Sequence, residues 1–153
     1  MEVNKQMNAK QLWSFFISTH SQYKNAPYTA WQFGAEAGLL AELTAKGIKT
    51  ATTSGYDLYE KEKEPLPIEG EFNIILNQDD QAVCITQTTK VYVVPFRDVT
   101  NEHAYKEGEG DRSLDYWRNV HIDFFTKYYA ENAVTFNDDS LVVCEEFEVI
   151  YQK

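Results

Sequence analysis

The sequence predicts an α+β fold with a mostly antiparallel sheet or small barrel. Three observations carry this. Helical periodicity fills the N-terminal third and returns near residue 114. β-branched runs crowd the later part of the chain, joined partly by a hairpin and partly by long excursions. No regular alternation of strand and helix appears, which argues against a parallel sheet. A chain of 153 residues most simply makes one domain, and it can bury a core without disulfides or metals.

Taken in order, residues 1–7 read as a polar, frayed terminus. Asn8 then caps a helix that carries Leu12, Phe15, Phe16 and Thr19 on one side. "SQYKNAPYT" reads as loop. "WQFGAEAGLLAELTAKG" reads as a helix with Leu39, Leu40 and Leu43 on one face, stopped by Lys46 and Gly47. "IKTATTSG" is a short strand or a helix-to-strand turn, and "YDLYEKEKEP" a charged helix ended by Pro65. "EFNIILN" and "AVCITQTTKVYVVPF" form a hairpin around "QDDQ", with Pro95 closing the second strand. "DVTNEHAYKEG" is a short helix. Ser113 caps a longer one whose Leu114, Trp117, His121, Phe124, Phe125 and Tyr128 share a face. "LVVCEEFEVIYQK" is a final strand.

Composition narrows the function. The formal charge is −10, so indiscriminate binding to duplex nucleic acid is not expected, since that affinity comes from Lys and Arg neutralising phosphates. A nucleoside, a nucleotide or a short single strand in a local pocket remains compatible. Aromatic residues make up 14% of the chain, more than a core of this size needs, and some can line a pocket. Cys84 and Cys144 are far apart within apolar runs and read as buried free thiols. No apolar run reaches membrane-span length and no signal peptide is visible, which points to a cytoplasmic protein with no membrane partner. The sequence does not specify an oligomeric state.

Two segments can carry chemistry. In "KEGEGDRSLDYWRNVH", Glu107, Glu109 and Asp111 alternate like the first ligands of a calcium loop. Arg112 and Arg118 stand where that loop needs Gly and Glu, so calcium is not expected. Acids before a helix start can complement its dipole, which suits Asp111 better than Glu107. In "GIKTATTS", Lys49 precedes Thr52 by three residues, a spacing used when a lysine of lowered pKa activates a hydroxyl, although Lys near Thr is also common at solvated strand ends. His20, His103 and His121 show no ligand spacing, and no metal or other cofactor is expected. His121 fits a core histidine. Trp31 and Phe33 fit either a core or a base-stacking surface.

"AWQFG", "GIKTATTS", "PLPIEGE", "VYVVPFRDV" and "HAYKEGEGDRSLDYWRNVHIDFF" follow one another in an order that resembles the ASCH superfamily. The likeness is to the branch long described only as a domain of unknown function, and it runs from about Trp31 to Tyr151. It implies a PUA-like, mostly antiparallel β-barrel with surrounding helices over residues 25–153, preceded by an N-terminal helical extension over 1–24. It also implies a cleft beside Gly47, Lys49 and Thr52 for RNA or a nucleotide-like ligand. Smaller members with the same K-x-x-T segment hydrolyse the amide of acetylated cytidine. Carried over, Lys49 is the base, Thr52 the nucleophile and Glu107, three residues after Ala104, the acid–base group. Those members have an Arg where this chain has Ser54; Arg112 or Arg118 is the expected substitute. Trp31, Phe33 or Trp117 would sandwich a base, with Glu109 and His121 completing the lining. A non-catalytic RNA-binding module and a metal-independent ribonuclease are the two rival functions.

Overall fold

The computed structural model describes residues 6–152. The Asn8 side chain accepts the Gln11 amide, and the Gln11 side chain returns to the Asn8 amide, so α1 (Ala9–Thr19) starts at that capping box. Its Leu12, Trp13 and Phe16 pack on the sheet against Phe72, Ile74 and Ile85. Residues 1–5 of the expected frayed terminus lie outside the described residues. Met7, by contrast, is buried, and its carbonyl accepts the Ala82 amide at 2.8 Å.

The strand β1 (Tyr28–Gln32) occupies residues read from the sequence as loop and helix start. It runs parallel to β3 (Phe72–Leu76) at the sheet edge. Its middle is exposed, so it lacks the apolar alternation that would have marked it. The helix α2 (Ala37–Ala45) is therefore shorter than its sequence pattern, and it buries Leu40, Ala41 and Thr44 while Leu39 stays exposed. β2 (Ala51–Gly55) leads directly into α3 (Tyr56–Glu62), which stops at a left-handed Lys63 before Pro65. β4 (Ala82–Pro95) completes the hairpin with β3. α4 (Asn101–Glu107), capped by Thr100, and α5 (Leu114–Glu131), capped by Ser113, precede β5 (Leu141–Tyr151).

The sheet order is β1-β3-β4-β5-β2, antiparallel except for the β1–β3 pair. It curves into a half-barrel with the five helices around it. Register shifts at Ile75/Leu76, Ile85/Thr86 and Thr88/Lys90 supply bends of the kind bulges produce. Val142 and Cys144 of β5 face α4 and α5, in a core with Phe96, Trp117, Phe125 and Tyr129. Phe147, three positions beyond Cys144 and so on the opposite face, packs toward α2 with Phe33, Ile75 and Cys84. Both cysteines are buried and free.

Candidate functional site

Gly47 takes the left-handed conformation that ends α2, and the amides of Ile48 and Lys49 both turn back to the Leu43 carbonyl. The chain then enters β2, fixed from one side by Thr50 donating to the Lys106 carbonyl. This swings Lys49 into the interior, where its side chain is 1% exposed. Its ammonium donates to Glu107 Oε1 at 3.0 Å, to Glu109 Oε2 at 2.9 Å and, more weakly, to the Glu107 carbonyl at 3.4 Å. It also sits 5.1 Å above the centre of the Phe33 ring.

Glu107 is the hub. It is the last residue of α4, and Gly108 turns the chain away at once with φ +73°. Oε2 accepts the Thr53 hydroxyl at 2.6 Å and the Trp117 indole N–H, and lies 3.3 Å from His103 Nε2 and 3.7 Å from His121 Nε2. Burial works against the charge on Glu107. The ammonium of Lys49, the hydrogen bond from His103 and the nearby imidazoles outweigh it and hold the carboxyl well below its usual range. Burial likewise pulls His103 down, but bonds to Cys144 and Glu107 and the Glu107 charge together raise it to about 9.

The structure brings Lys49, Glu107, Glu109, Phe33, Trp117 and His121 into this cluster. Thr52 is not joined to Glu107. Neighbours on a strand point to opposite faces, and it is Thr53 that turns toward α4 while Thr52 turns toward α2. Thr53 and His103 also belong to this candidate site, and neither is among the site residues expected from the sequence. His103 carried a signal, since it lies one helical turn before Glu107 on α4. Three consecutive hydroxyl residues, Thr52 to Ser54, carried none that sorts them by face.

The family model for the ASCH domain matches residues 29–151. The chain belongs to the ASCH domain family. A crystal structure of an ASCH domain from Lactobacillus crispatus JV V101 is 30% identical, with 94% of each chain covered and a TM-score of 0.87. A protein from Enterococcus faecalis V583, of a family named for its unknown function, is 35% identical over 94% of this chain and 88% of its own, with a TM-score of 0.82. A hypothetical protein at 20% identity, covering 80% of this chain and 97% of its own with a TM-score of 0.51, shares the fold alone. No match was found among curated proteins.

The remaining ASCH residues singled out from the sequence have other duties. Trp117 is buried between Phe96 and His121, with ring centroids at 5.3 and 4.1 Å, so both its faces are taken and it cannot stack on a base. Phe33 is also buried, beneath Lys49 and edge-on to Trp31. Arg112 lies 3.7 Å over the Tyr105 ring and donates to the Tyr105 carbonyl, clamping the turn rather than replacing the missing arginine. Arg118 pairs with Asp138 and covers Phe96. Ser54 shares a hydrogen bond with Tyr59 at 2.6 Å. Trp31 is half-buried on β1 and donates to Asn73 at 3.1 Å. An open groove of about 850 Å³ lies elsewhere, between α2 and the turn after β3, lined by Leu39, Lys46 and Gln78 and without any of the buried charge.

Proposed function

We propose that this ASCH domain is an amidohydrolase that removes an acyl group from the exocyclic amine of a nucleoside, acetylated cytidine being the first substrate to try. The observation that carries the proposal is the burial of Lys49 with Glu107 and Glu109 at the root of the strand bearing Thr52. Desolvating such charges costs several kcal/mol per ion, and apolar residues would serve stability as well. A buried carboxyl held well below its usual range, as Glu107 is, is a mark of functional sites. Thr52 is the nucleophile. It is half-buried, and its hydroxyl has no hydrogen-bond partner among the described residues. Attack on the acyl carbonyl would give a threonine ester and the free amine, and water would then release the acid.

RNA binding and RNA cleavage both need cations for phosphate. Lys49, Arg112 and Arg118 are all engaged within the chain, and the net charge is −10. This weighs toward an uncharged ligand, a nucleoside rather than a nucleotide or a strand. Chromatographic detection of cytidine released from acetylated cytidine tests the reading. Thr52→Ala should lower the rate at least ~100-fold and Thr52→Ser should keep part of it. Equal rates for the parent and Thr52→Ala would sink it, as would cleavage of a short RNA in EDTA with acetylated cytidine untouched.

A further inference from the structure

In the antiparallel β2–β5 pair, Thr52 stands directly opposite Glu145, and Thr53 opposite Cys144. Residues so paired share a face, with Cβ atoms about 4.5–5.5 Å apart. Thr53 and Cys144 face α4 and α5, so Thr52 and Glu145 face the α2 side. Glu145 is 7% exposed, and no cation lies within ion-pair distance of it among the described residues.

What holds Glu145 is a one-way chain of donors. The Trp31 indole and the Thr29 hydroxyl donate to Asn73 Oδ1 at 3.1 and 3.2 Å. Asn73 donates to Thr88 at 3.0 Å, and Thr88 donates to Glu145 Oε2 at 2.7 Å. The chain fixes one carboxylate oxygen and leaves Oε1 for another donor. Thr86, on the same face opposite Asn73, is fully buried with a hydroxyl that has no partner among the described residues. Burial pushes the Glu145 carboxyl up to about 6, with the charge of Glu71 adding to the rise and the Thr88 bond opposing it.

The charged cluster across the sheet is arranged differently. The Lys49 side chain is turned to three acceptors in α4 and the turn after it, and none of them is Thr52. Glu107 has donors on both oxygens and is held far on the ionised side. A proton acceptor working near neutrality needs an open oxygen on the same side of the sheet as the hydroxyl, from which the contact can tighten when substrate binds.

We propose that Glu145, rather than Lys49 or Glu107, is the general base and acid that serves Thr52. The proposal rests on the assignment of Thr52 as nucleophile. As the Thr52 oxygen bonds to the acyl carbon, its proton passes to Glu145 Oε1. As the carbon–nitrogen bond breaks, the same proton passes to the departing nitrogen, which leaves as the neutral amine. Glu145 then takes a proton from water, the water oxygen displaces Thr52 from the ester, and the proton returns to the threonine oxygen. The acid leaves and both side chains are restored.

A simple acyl donor separates this step from the identity of the substrate. The intact protein is incubated with p-nitrophenyl acetate, and the acetylated residue and its labelling rate are read by peptide mass spectrometry. The parent should acetylate Thr52. Glu145→Gln should slow this at least ~100-fold, and Glu145→Asp should recover part of the rate. A parent that is not labelled at Thr52, or a Gln variant labelled at the parental rate, overturns the proposal. Should acetylated cytidine prove inert while Thr52 is labelled in a Glu145-dependent way, the substrate assignment fails and this proposal stands. Should the parent and Glu145→Gln hydrolyse acetylated cytidine equally, the substrate assignment stands and this proposal fails.

Discussion

Lys49 and Glu145 are both buried, yet their stability signatures have opposite sense. Lys49→Ala removes the buried ammonium that faces Glu107 and Glu109, so urea unfolding should show a loss of about 3–5 kcal/mol. For Glu145 the folded-state pKa lies near 6, above its ordinary 4.5. The folded form therefore binds the proton more tightly. That stabilisation is complete below pH ~4.5 and is lost as pH rises through ~6. Above that range the ionised carboxylate costs about 2 kcal/mol. Glu145→Gln should thus raise the melting temperature at pH 7.5 and give a smaller gain at pH 4.5; an equal gain at both would contradict this. Glu107 runs the other way, since its depressed pKa means that its contribution is present above ~4.5 and lost in acid. None of this contrast is legible from residue types. "CEEF" contains two successive glutamates, and only strand register buries Glu145 while sending Glu146 to Lys106. Lys49 and Glu107, in contrast, were readable because each sits in a motif.

At the level of elements, the turn after α4 brings the two halves of the cluster together. A Cβ on Gly108 would lie 2.6 Å from the Ile48 carbonyl oxygen, and Gly108 also needs a positive φ. The close approach is what lets Glu107 reach back to the residue after Ile48. Gly108→Ala should therefore destabilise the protein by about 2 kcal/mol or more, measured by urea titration, and loosen the Lys49–Glu107 pair. The sequence displayed these glycines as part of an acidic loop, but the backbone they must approach lies some sixty residues earlier. The capped helices were legible for the opposite reason. Asn8 and Ser113, the caps expected from the sequence, bond to amides three residues on. The strand β1 was not legible, because its pairing with β3 depends on a partner about forty residues away.

For the molecule as a whole, the α+β class and the antiparallel character were readable, while the parallel edge and the order of strands were not. Order matters to function. It gives the sheet two chemically different faces, with ion pairs toward α4 and α5 and a neutral donor relay toward α2. Ligand binding on the second face should depend little on salt. Calorimetric affinity for acetylated cytidine is expected to change by less than about twofold between 50 and 500 mM NaCl, because no phosphate contact releases counterions. A steep loss of affinity for this uncharged ligand would contradict the reading of the second face as neutral.

The position of β5 between β4 and β2 has a consequence for when the site comes into being. Among the described residues β2 pairs with no strand except β5, so Thr52 joins the sheet only after the last of the five strands has been made. Nearly ninety residues of chain must emerge between the two. During synthesis the nascent polypeptide carries Thr52 long before it carries Glu145. A version halted at residue 140 should fail to acetylate Thr52 with p-nitrophenyl acetate, and supplying the missing strand in trans is the natural route to restoring it. Thr52 is in this sense timed: it meets Glu145 only when the fold is complete.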